Sequence, residues 1–344
     1  MSVFPTFKER LLSRLHLLPT PVLDGFASVL FGRVLAVAVR KGFFESLASA
    51  SLSAEMLAAR TGLDAQAARM IAEALVSGQY LRATRKGYAL SAESRKWLLR
   101  DSPLFLGNLV AYSETLYARW AHLDYALQHG RPERPYYERF SDDDWRLYVM
   151  AMRDLARVLM PHVMRRIALP AGSCALLDLG GSHGLYAIGC CRRYPKVRAV
   201  VMDFAPALRQ ADAIVRQEGM MDRVQLVSGD ILRDPLPEKQ DGILMFNVIH
   251  GFGDASNAAL VQRAIGALRP EGKLYILDQM TRTRRSRGVA GFLPLMVGLN
   301  LLNEIGGRVY TFEQVRSWCG QAATTKEFRL PIPGVTLVEC TRGR

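Results

Sequence analysis

The seven residues Asp178-Leu-Gly-Gly-Ser-His-Gly184 constrain what this chain can fold into more than any other stretch. They follow the apolar run Cys174-Ala-Leu-Leu177 and lead into Leu185-Tyr-Ala-Ile-Gly-Cys-Cys191, the pattern of a buried strand, a glycine turn and the start of a helix. Glycines at such a turn let backbone N–H groups approach a ligand closely at a helix N-terminus. An acid just before the turn would repel a pyrophosphate, whereas it suits a ligand with an amino group.

The arrangement repeats along the chain. Val197-Arg-Ala-Val-Val-Met202 reads as a second strand ending in Asp203, which follows Gly184 at the distance of about 20 residues where a second-strand acid meets a ribose. Val224–Ser228 is a third strand, followed by Gly229-Asp230-Ile231, an acid and an apolar neighbour that can take an exocyclic amine and cover an adenine face. Gly242–Asn247 runs into Val248-Ile249-His250, and Lys273–Leu277 into Asp278. Helical stretches such as Ala205–Glu218 and Ala255–Leu268 lie between, so the expectation is an α/β fold with a parallel sheet covered on both faces. With an amino group at Asp178, a ribose at Asp203 and an adenine at Asp230, the ligand reads as S-adenosylmethionine rather than a dinucleotide.

The N-terminal part differs. Val34–Leu47, Leu52–Gly62 and Asp64–Ser77 carry helical apolar patterns, and Leu81–Leu90 reads as a hairpin turning at Lys86-Gly87. Helix, helix, helix, hairpin is a winged-helix-like order. Leu104–His129 and Asp142–Ile167 are further helical stretches. The expected domains are residues 1–100 (winged-helix-like), 101–170 (a helical bridge contributing to a substrate pocket) and 171–344 (Rossmann-like).

In combination these motifs resemble the plant-type, caffeic acid-like O-methyltransferases, which are class I S-adenosylmethionine-dependent enzymes with a bacterial natural-product branch. The matching segments are Leu176–Gly184, Met202-Asp203, Ser228-Gly-Asp230, Asn247–His250 with Asp254, Leu268–Leu274 and Gly306-Gly307. The resemblance spans almost the whole chain and implies a Rossmann-like methyltransferase domain preceded by a dimerisation domain. It implies that Asp178, Gly180, Gly181, Gly184, Asp203, Phe204, Asp230, Ile231, Asn247 and Phe252 hold S-adenosyl-L-methionine, with no metal. It also makes His250 the general base and Asp278 one of its two orienting acids. Tyr148 and Met152 fall at acceptor-facing positions of the family, and Phe292, Met296, Asn300 and Asn303 are expected on the opposite wall. Together these imply an aromatic or polycyclic acceptor.

The chain departs from the family in three places. Gly251-Phe252 replaces Asp-Trp after the histidine, Val309 stands where the second orienting acid belongs, and Phe246 replaces a lysine. Phe252 is the candidate to stack on the cofactor, and Glu304, five positions before Val309, is the candidate replacement acid. Three readings stay open: transfer to a hydroxyl with His250 as base, transfer to carbon or nitrogen by proximity, and a cofactor-binding homologue with other chemistry.

Composition narrows the alternatives. The net charge of +13 raises a nucleic-acid-binding regulator, yet the expected recognition helix, Gln66–Leu75, offers few groups that could read bases. The one dense basic cluster, Arg282-Thr-Arg-Arg-Ser-Arg287, has no aromatic residue for base stacking and is the candidate dock for an anionic or carrier-bound substrate. Phe26–Ala38 is interrupted by Arg33 and Val289–Leu302 by Pro294 and Asn300, so no membrane span is expected. The five cysteines show no metal-ligand spacing and read as reduced thiols of a cytoplasmic protein. A homodimer is expected, because apolar stripes such as Val34–Ala38 with Phe43–Leu47 exceed what a thin N-terminal layer can bury.

Overall fold

A computed structural model describes residues 12, 15, 17–170, 172, 175–281, 289–320 and 323–344. The chain divides into two compact units, Met1–Tyr117 and Ala118–Arg344. Cys174 and the cluster Arg282–Arg287 lie outside the described residues.

In the first unit an apolar helical stretch, Thr20–Arg40, ends in the regular helix α1 (Ser28–Arg40). The short helix α2 (Phe43–Ser46) comes next, then α3 (Ala54–Thr61) and α4 (Ala65–Ser77). Ser53 Oγ accepts from Met56 N and Asp64 Oδ1 from Ala67 N, so both α3 and α4 start on side-chain caps. Strands β1 (Leu81–Thr84) and β2 (Gly87–Leu90) form an antiparallel hairpin, and α5 (Ala92–Trp97) succeeds it. Phe43, Phe44, Leu47, Leu57, Leu75 and Leu90 are wholly buried and make this unit's core. By contrast Val22, Phe26, Val29 and Leu30 are half or more exposed, and Thr20–Arg40 is long and apolar enough to cross a membrane. Its two arginines both reach Glu114 of α6 (Gly107–Trp120), Arg40 Nε at 2.6 Å and Arg33 in closer contact.

In the second unit α7 (Leu123–His129) and α8 (Asp142–Met164) precede the sheet. The single helical stretch expected over Leu104–His129 is two helices, interrupted by a turn at Ala121-His122. A capping box between Ser141 and Asp144 starts α8, and three acids in its first turn suit the positive end of the helix dipole.

Five parallel strands come after α8: β3 (Ala175–Leu179), β4 (Arg198–Asp203), β5 (Val224–Ser228), β6 (Gln240–Phe246) and β7 (Leu268–Thr281). The helices between them are α9 (Leu185–Arg193), α10 (Ala205–Gln217) and α11 (Asp254–Ala267). After β7 come α12 (Val289–Ile305), the two-residue β8 (Tyr310-Thr311), α13 (Phe312–Cys319), β9 (Ala323–Arg329) and β10 (Val335–Arg342). The sheet order is β5-β4-β3-β6-β7-β10-β9, with β8 beside β7, and β10 is antiparallel to both β7 and β9. The sheet is therefore mostly parallel, closed on one side by an antiparallel hairpin that the strand pattern of the sequence does not announce. Strand order reverses between β3 and β6, and the crevice at such a reversal is where open α/β sheets take ligands.

Alternate residues of each strand feed two cores. Leu176, Leu244 and Tyr275 lie in one, with α8, α9 and α10; Leu177, Ile243 and Leu274 lie in the other, with α11 and α13. Much of the basic excess serves this architecture. Arg223 Nη2 donates to the carbonyls of Cys191, Tyr194 and Val197, and Arg263 Nη1 to those of Ile231 and Leu232. Cys190, Cys191, Cys319 and Cys340 are buried free thiols.

One buried polar cluster fastens the segment before β3 to the sheet. Tyr275 Oη accepts from Ala168 N at 2.8 Å and donates to Glu339 Oε2 at 2.9 Å, and Lys273 Nζ lies 3.2 Å from the same oxygen. Replacing Tyr275 with Phe strips a donor from a buried carboxylate and a partner from a backbone N–H. Equilibrium urea unfolding is expected to show a loss of about 1–3 kcal/mol.

Candidate functional site

The glycine turn is built from the strand outward. Gly180 (φ 68°) and Gly184 (φ 70°) take left-handed backbone that turns β3 into α9, and a Cβ on Gly181 would sit 2.6 Å from Asp178 Cγ. Asp203 at the end of β4 grips the same turn, because its Oδ2 accepts from Ser182 N at 2.9 Å and its Oδ1 from Phe204 N at 2.7 Å. Asp178 is different. It is 1% exposed and neither carboxylate oxygen receives a hydrogen bond.

Burial, reinforced by the charge of Asp203, pushes the Asp178 carboxyl up to about 8, and burial pushes that of Asp203 up to about 6. Beside them Ser182 Oγ and Tyr186 Oη are also buried without partners. A buried acid with two unused acceptors, next to a turn that excludes a Cβ, fits the amino group of a bound S-adenosylmethionine. His183 does not compete for that group. Burial and the charge of Arg153 push it down to about 3, and its Nδ1 accepts from Leu185 N at 3.1 Å.

Further along the edge, Asp230 Oδ1 accepts from Leu232 N at 2.9 Å, leaving the carboxylate partly exposed beside the buried Ile231. Phe204 is 44% exposed, with its ring 6.1 Å from that of Tyr137. The edge thus carries Asp178, Asp203, Phe204, Asp230 and Ile231 in chain order.

At the end of β6, Asn247 adopts φ 56°, a backbone conformation that asparagine tolerates. The chain then makes one 3₁₀ turn, Ile249–Gly251, which carries His250. His250 Nδ1 lies 2.7 Å from Asp278 Oδ1, and the backbone N of His250 is 3.4 Å from Oδ2. Gln279 N donates to Oδ1 at 2.8 Å, and Asp278 is 1% exposed. With Nδ1–H given to the carboxylate, Nε2 presents its lone pair, and the side chain keeps 20% of its surface open. An imidazole held this way can accept a proton.

The residues that depart from the family are packed into other contacts. Gly251 faces Ile305, Val309 lies against Gly298 of α12, and Phe246 stacks edge-on to Tyr186 with ring centroids 4.8 Å apart. Phe252 is half-buried, and its carbonyl accepts from Tyr310 Oη. Glu304 is committed elsewhere as well. Its carboxylate is paired with Arg119, Nε to Oε2 at 2.7 Å, and burial raises it above the usual range despite that charge. Gly306 and Gly307 end α12 by pressing the chain onto the base's turn: a Cβ on Gly307 would overlap the carbonyl oxygen of His250, to which Arg308 N donates at 3.0 Å.

An aromatic cluster spans the start of α8 and the segment before it. Tyr136, Phe140, Trp145 and Tyr148 have ring centroids 4.6–6.1 Å apart. Burial raises the phenol of Tyr148 against the opposing effect of its hydrogen bond with Tyr136, and the charges of Asp203 and Asp278 add to the rise. Met152 and Met296 are half-buried, Phe292 is 45% exposed, Asn300 Oδ1 accepts from Trp120 Nε1, and Asn303 is buried. Sequence reasoning missed Tyr136, Phe140, Arg119 and Arg153. Arg153 is 8% exposed with Nε unpartnered, and its charge reaches His183 in the glycine turn. The signal for it was a lone arginine on the buried face of α8.

Comparison with known proteins decides the class. The O-methyltransferase domain family matches residues 120–323, more than half of the chain. The chain belongs to that family. Among sequence relatives, acetylserotonin O-methyltransferase of Bos taurus is 29% identical over 84% of this chain and 88% of its own. The tetracenomycin polyketide synthesis 8-O-methyl transferase of Streptomyces glaucescens is 28% identical over 85% of this chain and 87% of its own. The fold matches that of human N-acetylserotonin methyltransferase in complex with SAM, with a TM-score of 0.82, 21% identity, and coverage of 94% of this chain and 98% of that one. As a member of the family, the protein is an S-adenosylmethionine-dependent methyltransferase.

The raised Asp178 carboxyl has a measurable consequence. A carboxyl raised above its unfolded value of 3.8 favours the fold fully below that value and loses the contribution as pH rises through about 8. Ligand-free protein is therefore expected to melt at progressively lower temperature from pH 6 to 8, with a shallower fall in Asp178→Asn. A ligand amino group needs the ionised acid, so calorimetric titration with S-adenosylhomocysteine near pH 7, repeated in buffers of different ionisation enthalpy, should register proton release. Asp178→Asn should abolish that release.

Proposed function

We propose that the protein transfers the methyl group of S-adenosylmethionine to a hydroxyl of an aromatic or polycyclic natural product, with His250 as general base. The Nδ1 contact of 2.7 Å between His250 and the buried Asp278 carries the reading. The cofactor supplies an electrophilic methyl group on a sulfonium. The remaining work falls to the chain: to place the acceptor oxygen in line with that methyl and to remove its proton. Nε2 of His250 takes the proton, and Asp278 stabilises the imidazolium that results. Asp178, Asp203, Asp230 and Ile231 hold the cofactor's amino, ribose and adenine groups, with Gly180, Gly181 and Gly184 giving the backbone room. The aromatic wall around Tyr148 supports a flat acceptor, and the Streptomyces relative's name, a polyketide 8-O-methyl transferase, favours the same chemical class.

The reading extends to the assembly. Val22, Phe26, Val29 and Leu30 leave a wide apolar face on Thr20–Arg40 that a second copy of the chain would cover, making a homodimer through residues 1–100. Unpaired buried thiols favour a cytoplasmic setting.

Two measurements test these points. His250→Ala should lower turnover about 10²–10⁴-fold while S-adenosylhomocysteine affinity stays near wild type, and Asp278→Asn should cost less. A near-active alanine variant would point to transfer by proximity. Light scattering at micromolar concentration should return twice the chain mass, and Phe26→Glu with Leu30→Glu should shift it toward the monomer.

A further inference from the structure

Methyl transfer with His250 as base leaves one buried polar cluster without a task. Glu304 on α12 is 3% exposed and Arg119 on α6 is its ion-pair partner. Arg119 Nε donates to Glu304 Oε1 at 2.9 Å, and Asn303 Nδ2 donates to the Arg119 carbonyl at 3.2 Å. Two acceptors are left over. Asn303 Oδ1 is buried and receives no hydrogen bond, and Glu304 Oε2, although only 2.7 Å from Arg119 Nε, receives none either because that N–H is given to Oε1. Burying an ion pair carries a desolvation penalty, and apolar residues of equal volume commonly serve stability as well or better. Stability alone does not account for an arginine and a glutamate here.

Their position suggests what does. The Arg119 guanidinium lies 5.5 Å from the Tyr136 ring and 5.3 Å from the Phe140 ring. Tyr136 is 5.8 Å from both Tyr148 and Tyr137, and Tyr137 is 6.1 Å from Phe204, the residue after Asp203. An aromatic wall therefore runs from the cofactor edge to the ion pair. From the other direction, Gly307, three residues past Glu304, presses on the carbonyl of His250. The pair stands at the far end of the surface on which a flat acceptor would lie.

We infer that Arg119, Glu304 and Asn303 form a distal subsite that selects aromatic acceptors bearing a second hydrogen-bond donor, a phenolic hydroxyl or an aromatic amine, away from the methylated oxygen. The inference rests on the aromatic-acceptor reading. Both unused groups are acceptors, so an ether or carbonyl at that end of the acceptor would leave them unsatisfied. The pair is neutral overall, so it does not reward a carboxylate. Glu304 thereby becomes a specificity residue rather than a replacement for the missing orienting acid.

Four probes separate the possibilities: 2-naphthol, 2,7-dihydroxynaphthalene, 7-amino-2-naphthol and 7-methoxy-2-naphthol, each titrated into full-length protein saturated with S-adenosylhomocysteine. The diol and the aminonaphthol should bind about tenfold more tightly than 2-naphthol and the methoxy compound. The double variant Arg119→Met/Glu304→Leu, its folding verified by S-adenosylhomocysteine titration, should lose that preference. Glu304→Gln, which turns the free acceptor into a donor, should shift preference toward the methoxy compound. Equal binding of all four probes to the wild type, or a preference that survives in the double variant, would overturn the subsite while leaving the aromatic-acceptor reading intact. If the protein takes S-adenosylhomocysteine but none of the naphthols, that reading fails and the subsite with it.

Discussion

The carboxylate of Asp278 gathers the turn that carries His250. It lies at the centre of a sheet whose faces are both covered, and a buried charge there must be met by donors. Those donors are the imidazole and backbone of His250 and the backbone of Gln279. Because two of the three belong to one residue, the acid fixes that residue's main chain as well as its ring. Asn247 in left-handed backbone and Gly307 against the His250 carbonyl then leave the turn little freedom. Loss of the family's acids at Gly251 and Val309 thus removes support that other contacts replace, chiefly from backbone.

The opposite end obeys the contrary logic. Asp203 gives one lone pair of each oxygen to the turn it stabilises, while Asp178, two backbone steps before Gly180, is left with none of its acceptors used. One acid is structural in the free protein and the other is held at an electrostatic cost. A ligand bearing a positive charge relieves that cost, so recognition is built into the fold in advance.

Strands β3–β7 were legible in the sequence because each contains an apolar run that leads into a glycine, an acid or, for β6, an asparagine. The β9–β10 hairpin was not. Strand β9, Ala323-Thr-Thr-Lys-Glu-Phe-Arg329, is a mostly exposed edge with polar residues in succession, and only its register with β10 makes it a strand. The site divided in the same way. Residues tied to strand ends could be placed by counting, whereas Arg119 was one arginine among many in a helical stretch and Tyr136 and Phe140 sat in a loop. Their meaning lies in a partner more than 180 positions away from Arg119, Glu304, which no local pattern announces.

The turn Gly306-Gly307 joins two jobs that are usually separate. It ends α12, which bears the proposed acceptor wall, and it touches the carbonyl of the residue that bears the imidazole. A molecule too broad for the pocket that pushed α12 outward would pull on that carbonyl and swing the ring from its line. Such a molecule could still dock well and yet react slowly. Discrimination of this kind appears in turnover more than in affinity, so for over-broad molecules tight binding would not by itself mark a substrate.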